Sequence, residues 1–376
     1  MTLSWVLHLR GNREPQNGRQ DVDVKDGLVG VVLWSLSAAR LPAVMTKQYS
    51  GQGGILAFHR VCRPTRHEFG SSNGLAVSPD KFRQILQTLI DRGYSFLSMS
   101  ELADRLMNPE TMIGQKFVAL TFDDGFVDNY TDAFPICRDL GVPMTSYLVS
   151  GFVLREFPLW SAGLEATIAL NDALEFPWEG KEFRLETRTI KQKRAIYRTV
   201  ASRLATAKPA AILEICTALG SRYGLDFIKL GDTYTLTPAM IAEMQASGLV
   251  EFGAHGVHHA SLAHLDSAEA RWEIVEGKRQ CEALVGAEVR HFAYPYGGSE
   301  SMGEREVSIC REIGFRTAVT TESNTIFGSD RDRLLALPRL TYNGKYQDTP
   351  LLDLLLSGTL PWLRRQKVVE AFRRTL

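Results

Sequence analysis

The sequence lacks the features that mark several classes of protein. Its 376 residues include five cysteines, none of them in a Cys-x-x-Cys pair: Cys62, Cys137, Cys216, Cys281 and Cys310. This scatter argues against a disulfide framework and a thiolate zinc site, and it favours a reducing compartment. Neither sign of charge dominates, because 43 Lys and Arg balance 43 Asp and Glu. The composition therefore gives no indication of a nucleic acid or an anionic membrane as a partner.

Long apolar runs are also missing near the amino terminus. The run from Leu28 to Ala39 is too short to cross a bilayer, contains two serines and follows an acidic stretch. We therefore expect a peripheral or core-packing helix here, no signal peptide, no transmembrane segment and a cytoplasmic location. Residues 1–50 are predicted to form an N-terminal extension that includes this helix, and residues 346–376 a C-terminal helical tail.

Between these ends, strand patterns alternate with amphipathic helices. The predicted strands lie near residues 55–58, 117–122, 144–149, 249–253, 290–294, 315–320 and 335–340. Such alternation predicts an α/β fold with a parallel sheet, either open or closed as a barrel. The stretch from about 155 to 236 differs, since it is helix-prone, rich in charge and without a motif that suggests chemistry. We interpret it as a helical insertion in a domain of residues 51–345.

The segment Phe117–Phe126 organises the chain. Its first six residues carry no charge and predict a strand that is buried on both faces. Asp123, Asp124 and Gly125 follow at once. Since ionised carboxylates are not buried without partners, the pair is expected at the strand's carboxyl end, where α/β proteins gather their ligands. The alternative is an Asx-type turn that only caps the strand.

A histidine cluster follows another predicted strand. Four of the eight histidines lie between positions 255 and 264. His255 and His259 are four residues apart, so one helical turn would bring both imidazoles to the same side. Two imidazoles and one carboxylate form a common ligand set for catalytic zinc. The alternative is a solvated cluster in a surface turn, and we assign His258 and His264 to it.

Three motifs together resemble those of the polysaccharide deacetylases, carbohydrate esterase family four, with the NodB-type chitooligosaccharide deacetylase as namesake. Thr121–Gly125 is similar to the first motif. His255–His259 is similar to the second, His-Ser/Thr-x-x-His, with glycine at the hydroxyl position. The aromatic strand end Phe292–Gly297 resembles the third. Order and spacing agree over about 51–345 outside the insertion, and the resemblance implies a distorted (β/α) barrel of about seven strands.

The resemblance also implies a catalytic site. Asp124, His255 and His259 would bind a divalent metal, zinc in the first place, with Co²⁺ or Ni²⁺ as alternatives. Asp123 would act as general base toward the attacking water, and the backbone N–H of Tyr296 would help to hold the oxyanion. The implied function is a metal-dependent hydrolase that removes acetyl groups from a polysaccharide or oligosaccharide of the N-acetylglucosamine type, with an acetylated glycan as its partner.

The chain departs from the family pattern at two places. Ala293 stands where the third motif commonly has arginine, and no histidine follows His291, so the late Leu-x-His that supplies the general acid is missing. However, Phe58-His59-Arg60 resembles the early Tyr-His-Arg of the branch that acts on poly-N-acetylglucosamine and other surface glycans. We therefore expect His59 to be the general acid and Arg339 to orient Asp123.

Two other functions remain compatible with these motifs. The same barrel could hydrolyse a small-molecule amide or a cyclic imide, because the motifs place the chemistry rather than the sugar. It could also be an inactive carbohydrate-binding barrel, whose expected sign is the loss of Asp123 or of a metal ligand. All of these residues are present in the chain.

Overall fold

The computed structural model of the protein describes residues 41–63, 74–112, 114–178, 180–342 and 351–365, together with Ser35. Most of the expected N-terminal extension, including the bulk of the helix predicted around residues 28–39, and parts of the expected C-terminal tail lie outside these residues. In the described part of the chain, no helix combines the length and the apolar character needed to span a membrane.

A parallel sheet forms the centre of the fold. In chain order the strands are β1 (Gly53–Phe58), β2 (Arg60–Val61), β3 (Ala76–Val77), β4 (Ser95–Leu97), β5 (Phe117–Phe122), β6 (Met144–Leu148), β7 (Ala173–Trp178), β8 (Lys181–Glu186), β9 (Val250–Ala254), β10 (His291–Ala293), β11 (Thr317–Val319) and β12 (Leu340–Thr341). The sheet order is β11-β10-β9-β6-β5-β1-β12, with β4 beside the first half of β5. A parallel bridge between Val319 and Leu337 links β11 to the segment before β12. The sheet thus curls into a distorted barrel, and the predicted fold class is confirmed.

Helices cover the outside of the sheet. They are α1 (Leu41–Tyr49), α2 (Pro79–Asp91), α3 (Met99–Met107), α4 (Phe134–Leu140), α5 (Ser150–Val153), α6 (Trp160–Leu170), α7 (Ile190–Leu204), α8 (Pro209–Tyr223), α9 (Gly231–Tyr234), α10 (Pro238–Ala246), α11 (Ser267–Val285), α12 (Glu304–Glu312), α13 (Leu351–Leu356) and α14 (Thr359–Arg365). Tighter 3₁₀ turns span Pro109–Met112, Leu262–His264 and Gly328–Ala336, and a π-helical turn spans Asn129–Ala133.

The register of the central strands places the predicted motifs at one edge. All six residues of β5 are buried, and β1 pairs with β5 from Gly53 opposite Phe117 to Phe58 opposite Phe122. The residues that follow these strands, His59 and Asp123, therefore leave the sheet side by side. Because the strands of this sheet are parallel, the carboxyl ends of β9 and β10 open toward the same edge.

The insertion is not purely helical, which corrects the prediction for residues 155–236. Helices α6 to α9 are accompanied by the antiparallel hairpin β7–β8. In β7 the buried residues Leu174 and Phe176 alternate with less buried neighbours, and Gly180 adopts a positive φ of 74° between the strands. This alternation of buried and less buried residues covers only one short strand in a charge-rich part of the sequence, so the pattern did not predict a strand. The hairpin and helices share one core with Val149 and Phe152 of the barrel edge.

The strand predicted at residues 335–340 is also wrong for most of its length. The chain forms 3₁₀ turns as far as Ala336, and only Leu340–Thr341 pairs with β1. Asp330 accepts the N–H of Phe327 at 2.8 Å and so stabilises the turn. Pro338 has no N–H to donate to a strand ladder, which delays the start of the strand. The short strand β4 is a further element that the sequence pattern did not predict.

Candidate active site

A buried ion pair stands at the end of β5. Arg339 donates from both terminal nitrogens to the two carboxylate oxygens of Asp123, each at 2.7 Å, and both side chains are nearly inaccessible. Its Nε donates to the carbonyl of Thr320 at 3.0 Å, which locks the guanidinium in place. Burial alone would raise the pKa of Asp123, but Arg339 and the nearby His255 outweigh it and hold the pKa below its usual range. Asp123 is therefore an oriented, ionised carboxylate.

The carboxylate of Asp124, the next residue, faces two histidines rather than Arg339. Asp124 has a positive φ of 71°, and Gly125 follows with 68°, so the chain reverses directly after β5. Oδ1 of Asp124 lies 3.3 Å from Nε2 of His259 and 3.6 Å from Nε2 of His255. Among the described residues this buried oxygen has no hydrogen-bond partner. A buried acceptor without a partner is costly, and a cation between these three atoms would satisfy it.

The imidazoles of His255 and His259 both turn Nε2 toward the carboxylate of Asp124. Nδ1 of His255 donates to the carbonyl of Ala293 at 2.7 Å, so the Nε2 lone pair faces Asp124. Burial lowers the pKa of both His255 and His259 to about 4, which leaves them neutral near pH 7. Within 4.8 Å of one another, the ligand atoms of Asp124, His255 and His259 form a possible metal site.

The histidines converge for a different reason than the one predicted. Residues 255–259 form an irregular loop rather than a helical turn. Gly256 and His259 both have positive φ values, of 76° and 53°. These left-handed residues, and not a helical spacing of four, bring the second imidazole back beside the first. The rings of His255 and His259 lie 4.8 Å apart at 69°.

His59 lies at the same edge. Phe58 pairs with Phe122 at the ends of β1 and β5, so His59 follows its strand beside Asp123, and its imidazole is close enough to contribute to the electrostatic environment of Asp124 and His259. Its carbonyl accepts a hydrogen bond from Asn129 at 2.9 Å. The adjacent Asp128 accepts from Nε of Arg60 at 2.8 Å and therefore ties down the chain after His59.

Asp128 and Asn129 were missed by the sequence reasoning. A signal was available, because Asp128 comes four residues after Asp124 and is flanked by Phe126 and Tyr130, whose aromatic side chains predict burial. A buried acid so close to the first motif needs a partner, and Arg60 supplies it.

Tyr296 and the two remaining histidines of the 255–264 segment differ in their relation to the site. Tyr296 has a φ of 62°, and its ring lies 4.7 Å from the ring of His259. Burial raises the pKa of its hydroxyl, and Asp124 raises it further. His258 and His264 take no part in the cluster: Nδ1 of His258 faces Glu273 at 2.5 Å, and Nδ1 of His264 faces Ser261 at 2.9 Å.

Comparison with known proteins identifies the family of the chain and structures with a similar fold. The sequence profile of the polysaccharide deacetylase family matches residues 112–318, more than half of the chain. YxkH of Bacillus subtilis (strain 168), a protein assigned to the same family, is 34% identical over 83 residues. This match covers 22% of the present chain and 29% of YxkH, so the chain spans less than a third of that relative.

Two solved structures have a similar fold. The deacetylase PplD of Streptococcus pyogenes, in complex with acetate, aligns over 77% of this chain and 92% of its own, with a TM-score of 0.52 and 21% identity. IcaB from Ammonifex degensii aligns over 81% of this chain and 97% of its own, with a TM-score of 0.50 and 19% identity. Members of the matched family are carbohydrate esterases that act on N-acetyl amide bonds. The chain belongs to the polysaccharide deacetylase family.

Proposed function

We propose that this protein is a metal-dependent deacetylase that hydrolyses the acetamide of an N-acetylglucosamine-type glycan. The observation that carries the proposal is the convergence of Asp124, His255 and His259 around a buried carboxylate oxygen that lacks a hydrogen-bond partner among the described residues. Membership of the polysaccharide deacetylase family supports the same reaction class. The boundaries 51–345 for the catalytic domain, with the insertion at about 155–236, belong to this proposal.

The three residues fit a divalent ion. Two neutral imidazole nitrogens and one carboxylate oxygen are a common donor set for catalytic zinc, and Co²⁺ or Ni²⁺ accept similar donors. The hydrogen bond from His255 to Ala293 selects the tautomer that leaves Nε2 free to bind. When bound there, such an ion would make water acidic enough to supply hydroxide near neutral pH and would polarise the acetyl carbonyl.

Asp123 is assigned the role of general base. Arg339 occupies one lone pair on each carboxylate oxygen, and the remaining lone pairs can accept the proton of an attacking water. The guanidinium keeps the carboxylate ionised and fixes its direction, so the base is in place before substrate binds. Arg339 acts through Asp123 and is a positioning residue.

The remaining roles go to His59 and Tyr296. The leaving sugar amine needs a proton, and an imidazole near the cluster is a suitable donor around neutral pH. His59 is the proposed acid because of its place at the end of β1, next to Asp124 and His259. The backbone N–H of Tyr296, in a turn directly beside His259, is the proposed oxyanion donor. One such donor typically contributes about a hundred- to a thousandfold in rate.

The test is acetyl release from defined substrates. The purified full chain, stripped of metal and then supplied with Zn²⁺ or Co²⁺, is incubated with chitooligosaccharides and with poly-N-acetylglucosamine, and products are read by mass spectrometry. We expect loss of acetyl groups that depends on the added metal. Turnover of small amides or cyclic imides without turnover of glycans would assign the alternative substrate class. A metal-loaded protein that hydrolyses neither group would contradict the proposal.

A further inference from the structure

We infer that Glu273 is a positioning residue for the metal site: its buried carboxylate organises the loop that carries His255 and His259. The inference rests on the proposed metal site and names a residue outside its ligands. Glu273 lies on α11 with 2% of its surface exposed, on the helix stripe formed by Ala270, Glu273, Ile274 and Gly277. A charged residue in an apolar helix stripe requires a specific partner.

The partner is the loop itself. Oε2 of Glu273 accepts the backbone N–H groups of Val257 and His258, at 2.9 and 3.0 Å. Oε1 faces Nδ1 of His258 at 2.5 Å. Two consecutive N–H groups that point at one anion form a small backbone nest. Both contacted residues lie between the two metal-site histidines, so the carboxylate holds the middle of the segment whose ends are His255 and His259.

The carboxylate depends on this loop in return. Within the part of the chain that the structure describes, no lysine or arginine forms an ion pair with Glu273, and the imidazole of His258 is the one side chain that contacts its carboxylate within hydrogen-bond distance. The loop N–H groups and the His258 imidazole therefore supply the polar environment that a buried anion needs.

Close packing explains the glycine at position 256. Gly256 has a φ of 76°, and a Cβ built there would lie 3.2 Å from Oε2 of Glu273. Gly277, one helical turn after Glu273, packs against Gly256 so closely that its own Cβ would lie 3.0 Å from the Cα of Gly256. Position 256 is where the family motif has a hydroxyl residue. In this chain the space beside position 256 is occupied by the carboxylate of Glu273.

Removal of the carboxylate leaves the N–H groups of Val257 and His258 without acceptors, and the loop between the ligands loses its fixed point. His255 would stay anchored at the end of β9 through Ala293, whereas His259 would lose its defined position. The loss of a group that holds a metal ligand in position typically weakens metal affinity about 10- to 100-fold.

The experiment compares Glu273→Ala and Glu273→Gln with Glu306→Ala. Glu306 is an equally buried carboxylate, 2% exposed, which accepts the N–H of Gly303 at the start of α12 and takes no part in the metal site. For each full-length variant we measure the thermal midpoint of the metal-free protein, the Zn²⁺ dissociation constant by chelator competition, and the visible absorption of the Co²⁺-loaded protein.

We expect Glu273→Ala to weaken Zn²⁺ binding about 10- to 100-fold and to alter the Co²⁺ spectrum. Glu273→Gln keeps an oxygen for the two N–H groups but loses the charge, and we expect a loss of at least about threefold. Glu306→Ala should lower the thermal midpoint and leave the metal affinity and the spectrum unchanged. A purely structural role for Glu273 would produce the same pattern as Glu306.

The inference is overturned if folded Glu273→Ala binds Zn²⁺ within about twofold of the wild type with the same Co²⁺ spectrum. Should that variant not fold, the same threshold applies to Glu273→Gln. A wild-type protein that binds neither metal overturns the proposed metal site and this inference together. A wild-type protein that binds metal but releases no acetyl group contradicts the proposed activity alone, since the affinity comparison does not depend on turnover.

Discussion

Among the described residues, two histidine–carboxylate clusters lie at opposite ends of the strands, and they differ in how completely their polar atoms are hydrogen-bonded. At the amino end of the strands, Nδ1 of His291 faces Thr317 at 2.8 Å and Nε2 faces Ser100 at 3.0 Å. Glu251 accepts the N–H of Ser100 at 3.1 Å and lies 3.5 Å from His291. Every ring nitrogen in this cluster has a protein partner.

At the carboxyl end of the strands, the hydrogen bonding of the cluster is incomplete. Oδ1 of Asp124 has no hydrogen-bond partner among the described residues, and the Nε2 atoms of His255 and His259 both point at it. Burial lowers the pKa of His291 to about 4, the same value as for His255 and His259. A lowered pKa therefore does not separate a structural cluster from a candidate site. What distinguishes the candidate site is the carboxylate oxygen of Asp124 that has no hydrogen-bond partner among the described residues.

The largest expected effect comes from removal of a ligand at the cluster of Asp124, His255 and His259. His259→Gln should abolish metal-dependent hydrolysis and weaken Zn²⁺ binding by more than approximately 100-fold, the upper end of the loss expected for Glu273→Ala. Metal analysis of the purified variant and acetyl release measure both effects. As a matched control, His291→Gln changes the same residue type in the cluster around His291, which we call the closed cluster because both ring nitrogens have partners. This variant should retain metal. Full metal content in His259→Gln would mean that the ligand set is wrong.

The next largest expected effect distinguishes the roles proposed for the two adjacent carboxylates, Asp123 and Asp124. Asp123→Asn should lower turnover by about two to four orders of magnitude, because the proton acceptor is lost, while the metal content stays at the wild-type level. The variant also leaves the buried Arg339 without its counter-charge, a situation that costs about 3–5 kcal/mol in stability. Folding must therefore be verified by circular dichroism before rates are compared. Simultaneous loss of metal and activity would reverse the roles of Asp123 and Asp124.

A smaller effect is expected for the proposed acid. His59→Ala should reduce turnover by about two orders of magnitude with metal retained, and the alkaline limb of the pH–rate profile should change shape because the proton donor is gone. The Asp128–Arg60 pair that holds this segment is untouched by the substitution, so the fold of the edge should persist. Turnover close to that of the wild type would mean that His59 is not the acid and that water or a substrate hydroxyl donates the proton.

The smallest effect concerns the closed cluster and appears only in stability. An unfolded histidine titrates near pH 6.5, whereas His291 titrates near 4 in the folded state. Its contribution to stability is fully present above about pH 6.5 and is lost as the pH falls toward 4, because the unfolded chain binds the additional proton. In His291→Gln, the unfolding free energy of the metal-free protein should decline less steeply across this window. Urea titrations at several pH values measure the slope, and turnover near pH 7 should be unchanged. Parallel slopes in the two proteins would show that His291 is not protected from protonation.

Much of the fold was predictable from local patterns. The uncharged run Phe117–Phe122 is a fully buried strand, as predicted. Family membership followed from the order of three motifs and is confirmed. The hairpin in the insertion and the end of the 328–336 turn escaped prediction, because short alternation and a single proline are weak local signals.

The sequence by itself determined which candidate site residues lie at which strand ends, since hydrophobic runs followed by carboxylates or histidines are local features of the chain. Only the tertiary structure decided which of them meet. Arg339 is 216 residues from Asp123, and its match to both carboxylate oxygens depends on how β12 closes against β1. The loop at His255–His259 likewise takes its shape from two left-handed residues and from Glu273 on a later helix. Partner choice among buried polar groups is a property of packing, and local propensity contains no information about it.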